Sequence, residues 1–149
     1  MTPTTAVVVG VFLEPDEASE TMMSRFFWIC LGGAAGTGAR YVLSGWALRA
    51  LGTGFPYGTL AVNVLGSFAV GLLMQVGLTT PLMSPTLRLS LTTGVMGGFT
   101  TYSTFNYETI RYIQDGAWLL AVANIGVTLL ACLAAGFAGL AVGRALIGG

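Results

Sequence analysis

The chain has 149 residues, of which 54% are hydrophobic and 8% charged, with a mean hydropathy of +0.80 and a formal net charge of zero. Soluble domains carry about 25% charged residues, so this composition excludes one and describes an integral membrane protein. With no histidine and two cysteines, the chain also lacks the usual clusters for transition-metal binding, acid/base dyads or nucleophilic triads, which argues against an enzyme.

The zero net charge hides an asymmetry. Glu14, Asp16, Glu17 and Glu20 precede the first span, whereas from Met22 onward six arginines face only Glu108 and Asp115. The run TAVVVGVFL at 5–13 is too short to cross a bilayer and has no basic residue before it, unlike a signal peptide. Residues 1–22 are expected to form a disordered tail and 23–149 a single membrane domain. The adjacent Met22 and Met23 raise the alternative that translation starts there.

About 20 mostly apolar residues cross about 30 Å of hydrocarbon, and stretches of that kind lie at 26–48, 58–78, 89–113 and 118–142. The first contains Arg40. The connections GTGFP at 52–56, TTPLMSP at 79–85 and QDG at 114–116 carry turn residues and leave no room for a soluble domain. With four spans, Arg25, Arg88 and Arg144 fall on one side, and Arg49 and Arg111 on the other, joined there by Arg40 when it is counted. An imbalance this small sets little orientation. Insertion both ways up, and with it an antiparallel homodimer, stands beside a single orientation fixed by a small bias or a partner. GxxxG spacings at Gly32/Gly36, Gly54/Gly58, Gly94/Gly98 and Gly139/Gly143 allow close helix approach, between chains or within one.

Along the second span Thr59, Asn63, Ser67 and Gly71 recur every four residues, on one helical face. The fourth span repeats the pattern with Asn124, Thr128 and Cys132. Such stripes serve either as a lined path or as interhelical hydrogen bonds, worth about 0.6 kcal/mol each on average. Cys30 and Cys132 read as small packing residues without a redox role.

The third span carries GGFTTYSTFNYE at 97–108, where glycines, β-branched threonines and hydroxyls together lower helix propensity. A helix broken at membrane depth survives only buried in protein or lining a cavity and points to an ion or substrate site. Freed carbonyls suit a cation, whereas hydroxyls and the ring edges of Tyr102, Phe105 and Tyr107 suit an anion. Arg40 would cost about 2.5–3.5 kcal/mol facing lipid at a helix centre, so it is expected to face protein or water. Glu108 is expected to pair with Arg40 or Arg111 or to cap backbone donors.

The segments GGAAGTGARY at 32–41, GTLAVNVLGSFAVG at 58–71 and GGFTTYSTFNYE at 97–108 resemble, in order and spacing, the signatures of the small bacterial fluoride channels of the Fluc (CrcB) family. The resemblance covers nearly everything after the tail. It implies an all-α protein of four transmembrane helices with a broken third helix, assembled as an antiparallel, dual-topology homodimer in the bacterial inner membrane. Two fluoride pores would run along the subunit interface. A structural sodium ion at the dimer centre would be held by main-chain carbonyls at the positions matching Gly97 and Thr100. The pore-lining positions would be Asn63, Tyr102, Ser103, Thr104, Phe105 and Thr128, with Tyr102 standing where phenylalanine is usual and Asn124 where some members carry tyrosine.

The activity implied is passive, selective fluoride export that relieves fluoride toxicity. The expected partners are fluoride, sodium, the bilayer and a second copy of the chain, with no nucleic acid. No P-loop is present, nor the acid relay of a proton-driven pump. The alternative is a small proton-coupled multidrug exporter, which needs a carboxylate deep in the membrane. A third reading is a membrane structural protein whose polar residues serve packing alone.

Overall fold

The computed structural model describes residues 19–148, and among them every regular element is helical. Helix α1 runs Ser19–Leu51 and α2 Tyr57–Thr79. A chain of short pieces follows: α3 Pro85–Leu89, a π-helical stretch Ser90–Met96 and α4 Gly97–Phe99. After two non-helical residues come α5 Tyr102–Gln114 and α6 Trp118–Ile147. The predicted tail lies outside the described residues except for Ser19–Met22, which belong to α1.

Helices α2 and α6 are long and apolar enough to cross a membrane. At 1.5 Å per residue the 23 residues of α2 span about 34 Å, against about 30 Å of hydrocarbon. The side-chain distribution suits a lipid solvent. Val62 and Asn124 are the largest fully buried side chains, while Leu119, Phe137, Leu130 and Trp118 stand exposed. Lipid tails are as apolar as leucine, so large side chains gain little by turning inward, and close backbone contact drives association instead.

Glycine provides that contact. A Cβ on Gly71 would fall on the Gly136 carbonyl, and one on Gly139 on the Phe68 carbonyl, which locks α2 against α6. Gly32 and Gly36 of α1 face Gly94, Val95 and Phe99 in the same way. Three of the four GxxxG pairs therefore pack inside the protomer: Gly32/Gly36 against Ser90, Val95 and Phe99, Gly94/Gly98 against Ile29, Gly32 and Gly33, and Gly139/Gly143 against α2.

Local signals set the ends of the elements. Ser84 caps α3 by accepting from the Leu87 N–H at 3.2 Å, with Pro85 in the first turn. Gly52 and Gly116, with φ of 79° and 72°, make the turns after α1 and α5. Within the π stretch the Ser90 and Thr92 hydroxyls donate back to the Thr86 and Arg88 carbonyls, both at 2.8 Å, a local competition that loosens helical geometry.

Because Gly139 has no room for a side chain, Gly139→Val is expected to destabilise the fold by about 1–3 kcal/mol. Gly45→Ala, whose Cβ meets nothing within 4 Å, should leave it unchanged. Size-exclusion profiles after graded heating in detergent measure both.

Candidate functional site

The polar stretch of the third span and the stripes of α2 and α6 meet at the gap between α4 and α5. Thr100 and Thr101 are extended there, with φ/ψ of −79°/159° and −150°/108°. In a continuous helix the Thr101 N–H would bond to the Gly97 carbonyl. Instead it donates to Asn63 Oδ1 at 2.7 Å, and Asn63 Nδ2 donates to the Thr101 carbonyl at 3.1 Å. One side-chain amide thus satisfies both backbone groups of Thr101, as a neighbouring strand would.

The next turn is diverted similarly. The Thr104 N–H, the helical donor for the Thr100 carbonyl, bonds to Thr101 Oγ1 at 3.2 Å, making Thr101 the N-cap of α5. The Thr100 carbonyl accepts from Arg40 Nη1 at 3.2 Å, and the Gly98 carbonyl accepts from Thr37 Oγ1 at 3.5 Å. Arg40 is half-buried against this backbone, in line with the expectation that it faces protein. Gly97 lies on an open face of the protomer, where an added Cβ would touch nothing within 4 Å.

Beside the gap lies a cleft of about 730 Å³. Asn63 and Ser67 line it from α2, Thr100 from the gap, Tyr102 and Phe105 from α5, and Thr128 and Cys132 from α6. The rings of Tyr102 and Phe105 are 5.8 Å apart and tilted by 48°, and Tyr102 is 78% exposed. The lining contains no charged side chain. Of the expected pore residues, the structure brings Asn63, Tyr102, Phe105 and Thr128 together. Ser103 and Thr104 are not part of this lining. They are exposed near the start of α5, with their hydroxyls 3.4 Å and 2.8 Å from that of Thr101.

Glu108 pairs with neither arginine proposed for it. Its Oε1 accepts from Thr59 Oγ1 at 2.7 Å, while Oε2 is buried without a hydrogen bond. Arg111 sits 4.0 Å from Asp115 one turn on, with both side chains exposed, a geometry worth about 0.3–0.5 kcal/mol. The stripes serve both of the uses open to them. Thr59 and Asn124 make interhelical hydrogen bonds, and Ser67 and Cys132 line the cleft, as do Asn63, which also bonds to the extended backbone, and Thr128, whose bond to Asn124 stays within α6. Two contributors escaped the sequence reading: Thr101 as cap and backbone partner, and Thr109. A threonine three residues before Thr104, where propensity recovers, was the available signal for the cap. The spacing of four between Phe105 and Thr109 was the signal for the second.

Sequence comparison places the chain among known proteins. The family described as "CrcB-like protein, Camphor Resistance (CrcB)" matches residues 27–140. The "Fluoride-specific ion channel FluC" of Sorangium cellulosum (strain So ce56) is 61% identical over 127 residues, covering 85% of this chain and 100% of that protein. Proteins of the same name from Anaeromyxobacter dehalogenans (strain 2CP-1 / ATCC BAA-258) and Citrifermentans bemidjiense are 52% and 47% identical. They align over 85% and 83% of this chain and 100% of their own length.

Replacing Asn63 by leucine removes the partner of both Thr101 backbone groups, each of which costs about 1–3 kcal/mol when buried unsatisfied. Asn63→Leu is expected to melt well below the native protein in a detergent thermal unfolding assay, although leucine is the better membrane residue.

Proposed function

The chain belongs to the CrcB family, and from that premise we propose that it is a fluoride-selective channel that lets fluoride leave the cytoplasm passively and so relieves fluoride toxicity. One observation carries the reading beyond family membership. An uncharged cleft with amide, hydroxyl and aromatic groups lies against extended backbone that a single asparagine holds in place.

The chemistry of that lining suits a small, strongly hydrated anion. Asn63 Nδ2 spends one proton on the Thr101 carbonyl and keeps a second for a ligand. The Thr128 hydroxyl offers another donor, and the edges of Tyr102 and Phe105 carry partial positive charge. Neutral donors of this kind replace water around an ion without binding it so tightly that it stays. Arg40, fixed at the Thr100 carbonyl, adds positive potential beside the path.

In this proposal the chain crosses the bacterial inner membrane four times. The elements between Pro85 and Gln114 form the broken third helix, and a second, antiparallel copy completes the cleft, which the exposed Tyr102 and the open face at Gly97 leave unfinished. The carbonyls of Gly97 and Thr100 have both lost their helical donors, to Asn63 and to the Thr101 hydroxyl. Oxygen dipoles released in this way suit a hard cation, so these two residues fit the sodium ion that the family resemblance implies. Thr100 keeps a lone pair beyond its bond to Arg40. A bound sodium ion would stabilise the carbonyl dipoles that the break leaves without helical N–H donors.

Liposomes reconstituted with the protein are expected to release fluoride but not chloride when valinomycin and potassium balance charge, as read with ion electrodes. Phe105→Ile should lower fluoride release about tenfold or more, a loss of about 1.4 kcal/mol of ion stabilisation, with assembly retained, whereas Tyr102→Phe should conduct. Exchange of sodium for a large organic cation during purification is expected to reduce the assembled fraction on size exclusion.

A further inference from the structure

Resting on the fluoride-channel reading, we propose that Asn124 and Thr109, neither of which lines the cleft, are positioning residues that fix the turn bearing Phe105 and the hydroxyl of Thr128. Asn124 is 1% exposed on α6, among alanines, leucines and glycines. A buried amide is costly unless both of its ends are bonded. Both are here. Asn124 Nδ2 donates to Thr109 Oγ1 at 2.9 Å, and Oδ1 accepts from Thr128 Oγ1 at 3.4 Å.

The network has one consistent direction. Thr109 has a single hydroxyl proton, which goes to the Phe105 carbonyl at 2.8 Å, so its oxygen is free to accept from Asn124. The chain therefore runs from the α6 amide through Thr109 to the turn of α5 that carries Phe105. That turn lies on a helix of 13 residues tied to α2 by the Thr59–Glu108 bond and capped by Thr101 after the extended gap, and the Asn124–Thr109 bond adds the tie to α6. A rotation of about 20° would sweep a ring lying about 6 Å from the helix axis by about 2 Å. Functional groups need to be held within about 0.5 Å. At the other end of the amide, the Thr128 contact exceeds the usual O–H···O range of about 2.5–3.0 Å. The Thr128 proton is thus held only weakly by Asn124, and an anion in the cleft can take it over at the cost of that long bond.

The test compares fluoride and chloride efflux, each normalised to assembled protein, for the native channel and the Thr109→Val, Asn124→Leu and Thr109→Ser variants. Valine keeps the shape of threonine without the hydroxyl, and serine restores it. Thr109→Val and Asn124→Leu are each expected to lower fluoride flux per assembled protein about tenfold and to narrow the preference over chloride, with Thr109→Ser near native. Native flux and selectivity per assembled protein in both apolar variants, whatever their yield, would overturn the proposal and leave the bonds as packing contacts. If only one apolar variant assembles, it decides. If neither does, Asn124→Gln, which displaces the amide by one methylene, decides in the same way: lowered flux supports the proposal and native flux overturns it. Absence of fluoride flux in the native protein overturns the channel reading itself, and the proposal with it, before any variant is compared.

Discussion

Hydrocarbon offers the backbone no hydrogen-bond partner, and the region around Thr100 and Thr101 is organised by that constraint. Each unsatisfied N–H or C=O at membrane depth costs several kcal/mol. Leaving the helix is tolerable only where side chains take over the bonds that the helix gives up. Asn63 serves both groups of Thr101, Arg40 serves the Thr100 carbonyl, and the Thr101 hydroxyl serves the Thr104 N–H. These side chains come from α1, α2 and the gap itself. The extended residues are therefore a product of tertiary packing, and low helix propensity in the sequence only makes them permissible.

The same solvent explains the inverted core. Where water drives folding, leucines and phenylalanines fill the interior. Here the tightest contacts are between glycines and opposing carbonyls, as at Gly71 with Gly136 and Gly139 with Phe68. Backbones at that distance exclude large side chains. Several of the small residues that allow contact, among them Gly66, Gly71 and Gly136, also border the cleft. Packing and cleft shape are thus specified by the same positions, so a side chain added there would change both.

Much of this was legible from composition. The stretches 58–78 and 118–142 differ from α2, Tyr57–Thr79, and α6, Trp118–Ile147, mainly at their ends, because a long apolar run bounded by turn residues leaves few alternatives. The first stretch, 26–48, covers the middle of α1, Ser19–Leu51. Apolarity reports where lipid would begin, whereas helical hydrogen bonding continues through Glu20 and Arg49. The π turn of Ser90–Met96 was not legible at all. It accompanies the packing of Gly94 against Ile29 and Gly32, a contact between segments far apart in the chain. Periodicity placed Asn63, Ser67, Asn124 and Thr128 on two faces, but it could not distinguish residues that bond to another helix from those that face the cleft. The partner of Glu108 was misjudged for a related reason. Charge alone suggested an arginine, whereas the α2 face that carries Asn63 also carries Thr59 one turn earlier, and that hydroxyl reaches the carboxylate.

The two charged side chains near the gap have separate neutral partners. Arg40 bonds to a carbonyl and Glu108 to a hydroxyl, and no ion pair joins them. A guanidinium bonded to a neutral carbonyl keeps its full field, which in a medium of low dielectric extends well beyond contact distance. In the proposed channel that charge, placed beside the cleft and not in its lining, would raise the local concentration of anions without becoming a deep well for them. The lining itself is neutral, so an anion there meets donors worth about a hydrogen bond each. Attraction in the proposed channel is thereby separated from coordination, with a fixed cation to draw anions in and weak donors to hold them briefly. Had Arg40 projected into the cleft, the same charge would favour retention over passage. Its bond to the Thr100 carbonyl holds one of its nitrogens on the backbone, and the hydrogen-bond requirement of the extended gap therefore also places the charge.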